Sequence, residues 1–294
     1  MKNFFLCWLV LGGLAFGQSP LLRSPWTTND DAAVSAFLAP GVFFVDSISG
    51  NDNNPGTLAR PFATLAGAQN SATNGSLIYA LRGTFNETGL GKSGVSWYFS
   101  RGVVAGNTSP FFLVGATNST TNLTVLGEGT FSNNVVTYVN ATNTTVHLCG
   151  DVFASPSVGL FSETPVGFSV SNRAWVNGGQ ISGFGFSTAG NVTSSNNNWW
   201  FYFSATRATS FNTTSGNGSG NSNRFFYITA PEVRAGAANF TRTLNTVLIE
   251  SPNFSINSQG MASIQSNYWW NITVMTTNDF ATNLNYNGTV RILR

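Results

Sequence analysis

The chain has 294 residues, 42% of them hydrophobic and only 8% charged, where about a quarter is usual for a soluble domain. With 25 Phe, 8 Trp and 7 Tyr it is too aromatic to remain disordered. A net charge of +2 and the lack of any basic run exclude the electrostatic footprint of a nucleic-acid binder.

In chain order, residues 1–17 come first: Lys2, the apolar run Phe4 to Phe16, and the small-x-small pattern Ala15-Phe16-Gly17 before Gln18. They read as a secretory signal peptide cleaved before Gln18, or as a hydrophobic N-terminal helix that stays on. The run is short for a spanning helix, and no later stretch is apolar enough to span. The expected location is extracellular: secreted, at a cell surface or at a virion surface. Removal of the leader takes Cys7 with it. Cys149 then stands alone as a small buried hydrophobe, with no disulfide inside the chain. The 14 Asn-x-Ser/Thr sequons, beginning at Asn74, Asn86 and Asn107, fit either N-glycosylation or Asn- and Thr-rich turns and outward strand positions.

Residues 18–41 form a linker and a short helix. Thr28 or Asn29 can cap it, Asp30 and Asp31 suit the positive end of its dipole, and Pro40-Gly41 stops it. Residues 42–294 then read as one domain. Val42 to Val45 is a strand, and Ser49 to Thr57 is a tight polar loop with glycines and Pro55. Phe62, Leu65 and Ala66 lie at helical spacing, and Leu77, Tyr79 and Leu81 alternate as in a strand. A short helix here would shield the open end of a stack of strands.

This block resembles the opening segment of the right-handed parallel β-helix, or pectate-lyase-like, superfamily. The matching residues are Ser47, Gly50, Asp52, Asn54, Pro55, Gly56 and Thr57, then Pro61, Phe62, Thr64, Leu65 and Ala68, then Arg82, Gly83, Thr84 and Phe85. One glycine of the last element is missing. Ser24 to Gly41 resembles pieces near the start of phage tail-fibre proteins. The resemblance implies a fold, an all-β, single-stranded right-handed parallel β-helix (solenoid) with a short N-terminal helical cap, and says little of activity. By the same analogy a homotrimer is expected.

The rest of the chain supports a coil independently. Apolar clusters begin at Leu123, Val146, Ala174, Trp200, Phe225, Val247 and Ile272, with spacings of 23, 28, 26, 25, 22 and 25 residues. A repeat of 20–30 residues without sequence identity suggests one stacked unit per repeat. Polar stretches such as Thr214 to Asn223 read as protruding loops.

No nucleotide loop, zinc spacing or nucleophile elbow is present, so no metal or cofactor is expected. His147 lies between Val146 and Leu148 and should point outward. Glu128 and Asp151 each follow an apolar cluster and are 23 residues apart, equal to the local repeat. Stacked on adjacent coils they could serve as acid and nucleophile or hold a cation; unstacked they are two turn carboxylates. Trp199, Trp200 and Tyr202 occupy positions comparable to Tyr268, Trp269 and Trp270. One Trp of each pair should face outward, where its ring could stack on sugar, or lie under a loop. The favoured reading is a non-enzymatic adhesin or tail-spike-like protein that binds cell-surface polysaccharide or glycoprotein without cleaving it. The alternatives are a secreted polysaccharide lyase or glycoside hydrolase, and a structural envelope or filament component.

Overall fold

The computed structural model describes residues 41–106, 110–115, 122–132, 135–139, 144–153, 161–163, 170–184, 186–188, 197–214, 222–239, 243–256, 270–275 and 288–293. The leader, the helix expected within 18–41, Tyr268 and Trp269 lie outside them. No helix among the described residues is long and apolar enough to cross a membrane.

The first strand, Val42–Asp46, has aromatic and β-branched residues on both faces and is largely buried. Its free edge is not left open. The Phe44 amide donates to the Gly56 carbonyl at 2.8 Å, the Asp46 amide to the Phe62 carbonyl at 2.9 Å, and Phe62 donates back to the Phe44 carbonyl at 2.9 Å. Gly56 makes the loop that does this. Its φ of 76° suits glycine, and a side chain there would run into the Phe62 ring.

The helix Leu65–Ser71 follows. Thr64 caps it, its hydroxyl accepting from the Gly67 amide at 2.9 Å. Asp52 fixes the cap by accepting from the amides of Ala63 and Thr64 and from the Thr64 hydroxyl. The helix has no acid in its first turn and no base in its last. Those charges come from outside: Glu87 accepts from the Leu65 and Ala66 amides, and Lys92 donates to the Gln69 and Ala72 carbonyls. The buried residues are Leu65 and Ala68, and the expected Ala66 is exposed. The face turns one position further because Phe62 pairs with Val45 before the helix begins and is not part of it.

From here the chain is built of parallel ladders. The first contains Val42–Asp46, Leu77–Arg82, Ser96–Phe99, Asn122–Gly127, Thr145–Cys149, Val170–Phe184, Asn197–Thr214, Ser222–Thr229, Thr243–Glu250, Trp270–Met275 and Gly288–Leu293, each paired in parallel with the next. All seven apolar clusters fall on it. Leu123, Val146, Ala174, Phe201, Phe226, Val247 and Ile272 share one register column. The second ladder links Thr84–Phe85, Val104–Ala105, Thr130–Ser132 and Asp151–Phe153, passes through the later parts of Val170–Phe184 and Asn197–Thr214, and ends with Glu232–Asn239 and Asn253–Ile256. A third, separate ladder links Phe112–Gly115, Val136–Val139, Phe161–Glu163 and Phe186–Thr188. The described part is thus all-β, with parallel sheets and one helix.

The core lies on the inner faces. Ile78, Trp97, Val125, Leu148, Val176, Phe203, Ile228 and Ile249 form one buried column of the first ladder, and Phe85, Ala105, Phe131, Val152 and Ile181 one of the second, whose register continues through Thr209 to the buried Val233. Each large apolar side chain so buried contributes about 1.5–3 kcal/mol. The strand Leu77–Arg82 shows the alternation read from the sequence, with Ile78 and Ala80 buried and Leu77, Tyr79 and Leu81 facing out. Tyr79 stacks on Tyr98 with centroids 4.6 Å apart and meets Phe44 at a tilt, with centroids 5.5 Å apart, so the outer face here is aromatic too. Burial pushes the hydroxyls of Tyr79 and Tyr98 up from their ordinary pKa. Cys149 is buried but disulfide-bonded, not the lone thiol expected from the sequence, and Cys7 lies outside the described residues.

Candidate functional site: an aromatic outer face

Where Phe201 and Phe203 enter the core, their neighbours Trp200, Tyr202 and Ser204 fall on the opposite face. The next strand repeats the pattern, with Phe226 and Ile228 buried and Phe225, Tyr227 and Thr229 out. Exact parallel register puts Trp200 beside Phe225 and Tyr202 beside Tyr227. The Trp200 and Phe225 rings lie nearly parallel, 9° apart, with centroids at 5.8 Å. Phe225 is 37% exposed, one of the few large apolar side chains at the surface of the described residues. The stack stops there, because the column continues as Thr246, Asn271 and Thr289, which carry no ring.

Beside the stack, the Tyr227 hydroxyl donates to Glu250 Oε2 at 2.6 Å. Tyr227 reaches diagonally, since Glu250 is paired with Thr229 on the neighbouring strand. Burial pushes the Tyr227 phenol up to about 12, and the hydrogen bond to Glu250 and its negative charge push in the same direction. The phenol therefore stays a hydrogen-bond donor at neutral pH. The outer face combines flat apolar surface with a phenol–carboxylate pair, the two kinds of contact a sugar ring offers partners for.

Of the six aromatic residues singled out from sequence, Trp200 and Tyr202 are on this face and partly exposed. Trp199 and Trp270 share another register column, through Arg224 and Asn245. Tyr268 and Trp269 lie outside the described residues. Phe225, Tyr227 and Glu250 were missed. The signal was available: in the run Phe225-Phe226-Tyr227-Ile228, placing Phe226 and Ile228 inside obliges Phe225 and Tyr227 to face out.

The carboxylates Glu128 and Asp151 are not a stacked pair. Leu148 lies opposite Val125, yet Asp151 lies opposite Thr130. The corner holding Glu128 and Gly129 is thus two residues longer than the one at Gly150, and the two acids miss each other in register. Each has its own partner. Glu128 pairs with Arg101 at 3.1 Å, with both side chains well exposed, and such a pair is worth little. Asp151 pairs with Arg207 at 2.7 Å and accepts from the Gln180 amide at 2.9 Å. His147 is half-buried at an outward position of its strand, and burial lowers its pKa. No group of three His, Cys, Asp or Glu among the described residues is arranged to hold a metal ion.

Compared with protein-family models, curated proteins and solved structures, the chain matches none.

Proposed function

We propose that this chain is an extracellular attachment protein, a right-handed parallel β-helix whose outer aromatic face binds glycan without cleaving it. The carrying observation is the Trp200–Phe225 stack, exposed at Phe225 and flanked by Tyr202 and Tyr227. An aromatic ring kept at a surface stabilises no core, whereas it suits the apolar face of a sugar. The helical winding is supported by the pairing order. Consecutive strands of the first ladder run parallel with intervening crossovers, and parallel crossovers within a sheet are right-handed in nearly all proteins.

The enzymatic reading loses its main candidate with the separation of Glu128 from Asp151, each held by its own arginine. Assembly into a filament by addition at the first strand is opposed by the loop that already occupies that edge. The test is a glycan-array and pull-down comparison of the wild type with Phe225→Ala. Binding should fall at least about tenfold while the thermal midpoint hardly moves, since Phe225 is a surface ring. Equal binding by the variant would sink the proposal. Release of new sugar ends from any bound glycan would establish the enzyme instead.

A further inference from the structure

We infer that this face selects neutral glycans over acidic ones, with Phe225 supplying the stacking surface and the Tyr227–Glu250 pair reading the hydroxyls. The inference rests on the glycan-binding reading and adds the substrate class. Three observations carry it. First, the ring stack ends at Phe225, whose register neighbour on the next strand is the ringless Thr246, and Phe225 is exposed. Second, Tyr227 lies two residues further along the same strand, about 7 Å away. A chain of sugars following the strand would therefore pass from the ring to the phenol within about two units. Third, the polar group waiting there is a carboxylate, held by a single hydrogen bond from Tyr227 Oη. A carboxylate accepts from sugar hydroxyls with its remaining lone pairs, and repels a uronate or sialate at the same place. Like charges brought together in a binding face oppose association. The net charge of +2 would by itself favour acidic polymers, so a preference for neutral ones must arise locally.

The experiment uses the full chain and two sets of probes: neutral dextran, mannan and galactan, and acidic polygalacturonate, alginate and hyaluronan. The wild type should bind at least one neutral polymer and all acidic ones at least about tenfold more weakly. Glu250→Gln keeps the size and the acceptor oxygen but removes the charge, and should bring acidic binding to within about threefold of neutral. Tyr227→Phe keeps the ring, loses the donor, and should weaken neutral binding several-fold. Raising the salt should narrow the discrimination in the wild type, because the repulsion is screened. This arm needs no variant and stands even if a substitution disturbs folding. Acidic polymers bound as well as neutral ones, or a preference unchanged by both Glu250→Gln and salt, would overturn the inference while leaving the glycan-binding reading intact. No binding to either set would overturn both.

Discussion

Asp46 accepts from the amides of Ile48 and Ser49, from the Ser49 hydroxyl and from Arg82 Nε. Burial alone would raise its pKa, but these donors outweigh it and hold the carboxyl below its ordinary 3.8. A depressed carboxyl stabilises the fold above its unfolded pKa, and that contribution disappears as the pH falls through the folded value. Urea unfolding midpoints should therefore drop below about pH 4, and Asp46→Ala should flatten that drop while costing about 2–4 kcal/mol at neutral pH. Glu87 acts in the opposite sense: burial raises its pKa, so its protonation favours the folded state. Trp97 is wholly buried, and its indole N–H has no hydrogen-bond partner among the described residues. Trp97→Phe removes that orphan donor along with some packing, so its stability should stay within about 1 kcal/mol of wild type, whereas Trp97→Ala should cost about 3–5 kcal/mol. Denaturant unfolding of the two variants distinguishes a donor problem from a simple loss of volume.

The helix Leu65–Ser71 is too short to be stable alone, and its ends are held by Glu87 and Lys92 from the following segment. Lys92→Met should cost about 1–2 kcal/mol, measured by thermal unfolding, and a double-mutant cycle with Glu87→Gln should show coupling, because both act on one helix. The helix was legible in the sequence from the spacing of Phe62, Leu65 and Ala66, although Phe62 precedes it and Ala66 is exposed, and seven of the eleven described strands of the first ladder were legible from their recurring β-branched and aromatic runs. What could not be read was phase and corner length. In Leu77-Ile78-Tyr79-Ala80-Leu81 every residue is apolar, so alternation marks a strand without saying which side is the core. Between the paired residues Leu148 and Asp151 stand two residues, Cys149 and Gly150, the glycine with φ of 143°. Between their partners Val125 and Thr130 stand four, Leu126, Gly127, Glu128 and Gly129. Sequence spacing marked the repeat but left open whether the two carboxylates stack; the unequal corners keep them out of register.

Across the whole molecule, strands of a ladder pair with their immediate neighbours, so stability is passed along from one rung to the next. Ile249 sits in the inner column and is buried. Ile249→Asp places an unpaired charge there and should cost several kcal/mol. Hydrogen exchange should show lost protection in Ser222–Thr229 and Trp270–Met275, its neighbours, with Val42–Asp46 and Leu77–Arg82 little changed. Uniform loss of protection along the chain would mean that the ladders unfold as one unit.

The occupied edge of the first strand gives the fold a direction. Gly56 and Phe62 take up the hydrogen-bonding groups on which a preceding strand would build, so rungs can be added only on the side of Leu77. A ribosome releases the chain in that same order, and the closed starting end is complete before the second half has been made. Each new strand of the ladder then meets a finished template and leaves only one growing edge exposed. Truncation from the two sides should have unequal effects: shortening from the C-terminal side leaves a smaller but properly started stack, while deleting residues 41–71 uncovers a second edge and should promote aggregation, measured by light scattering.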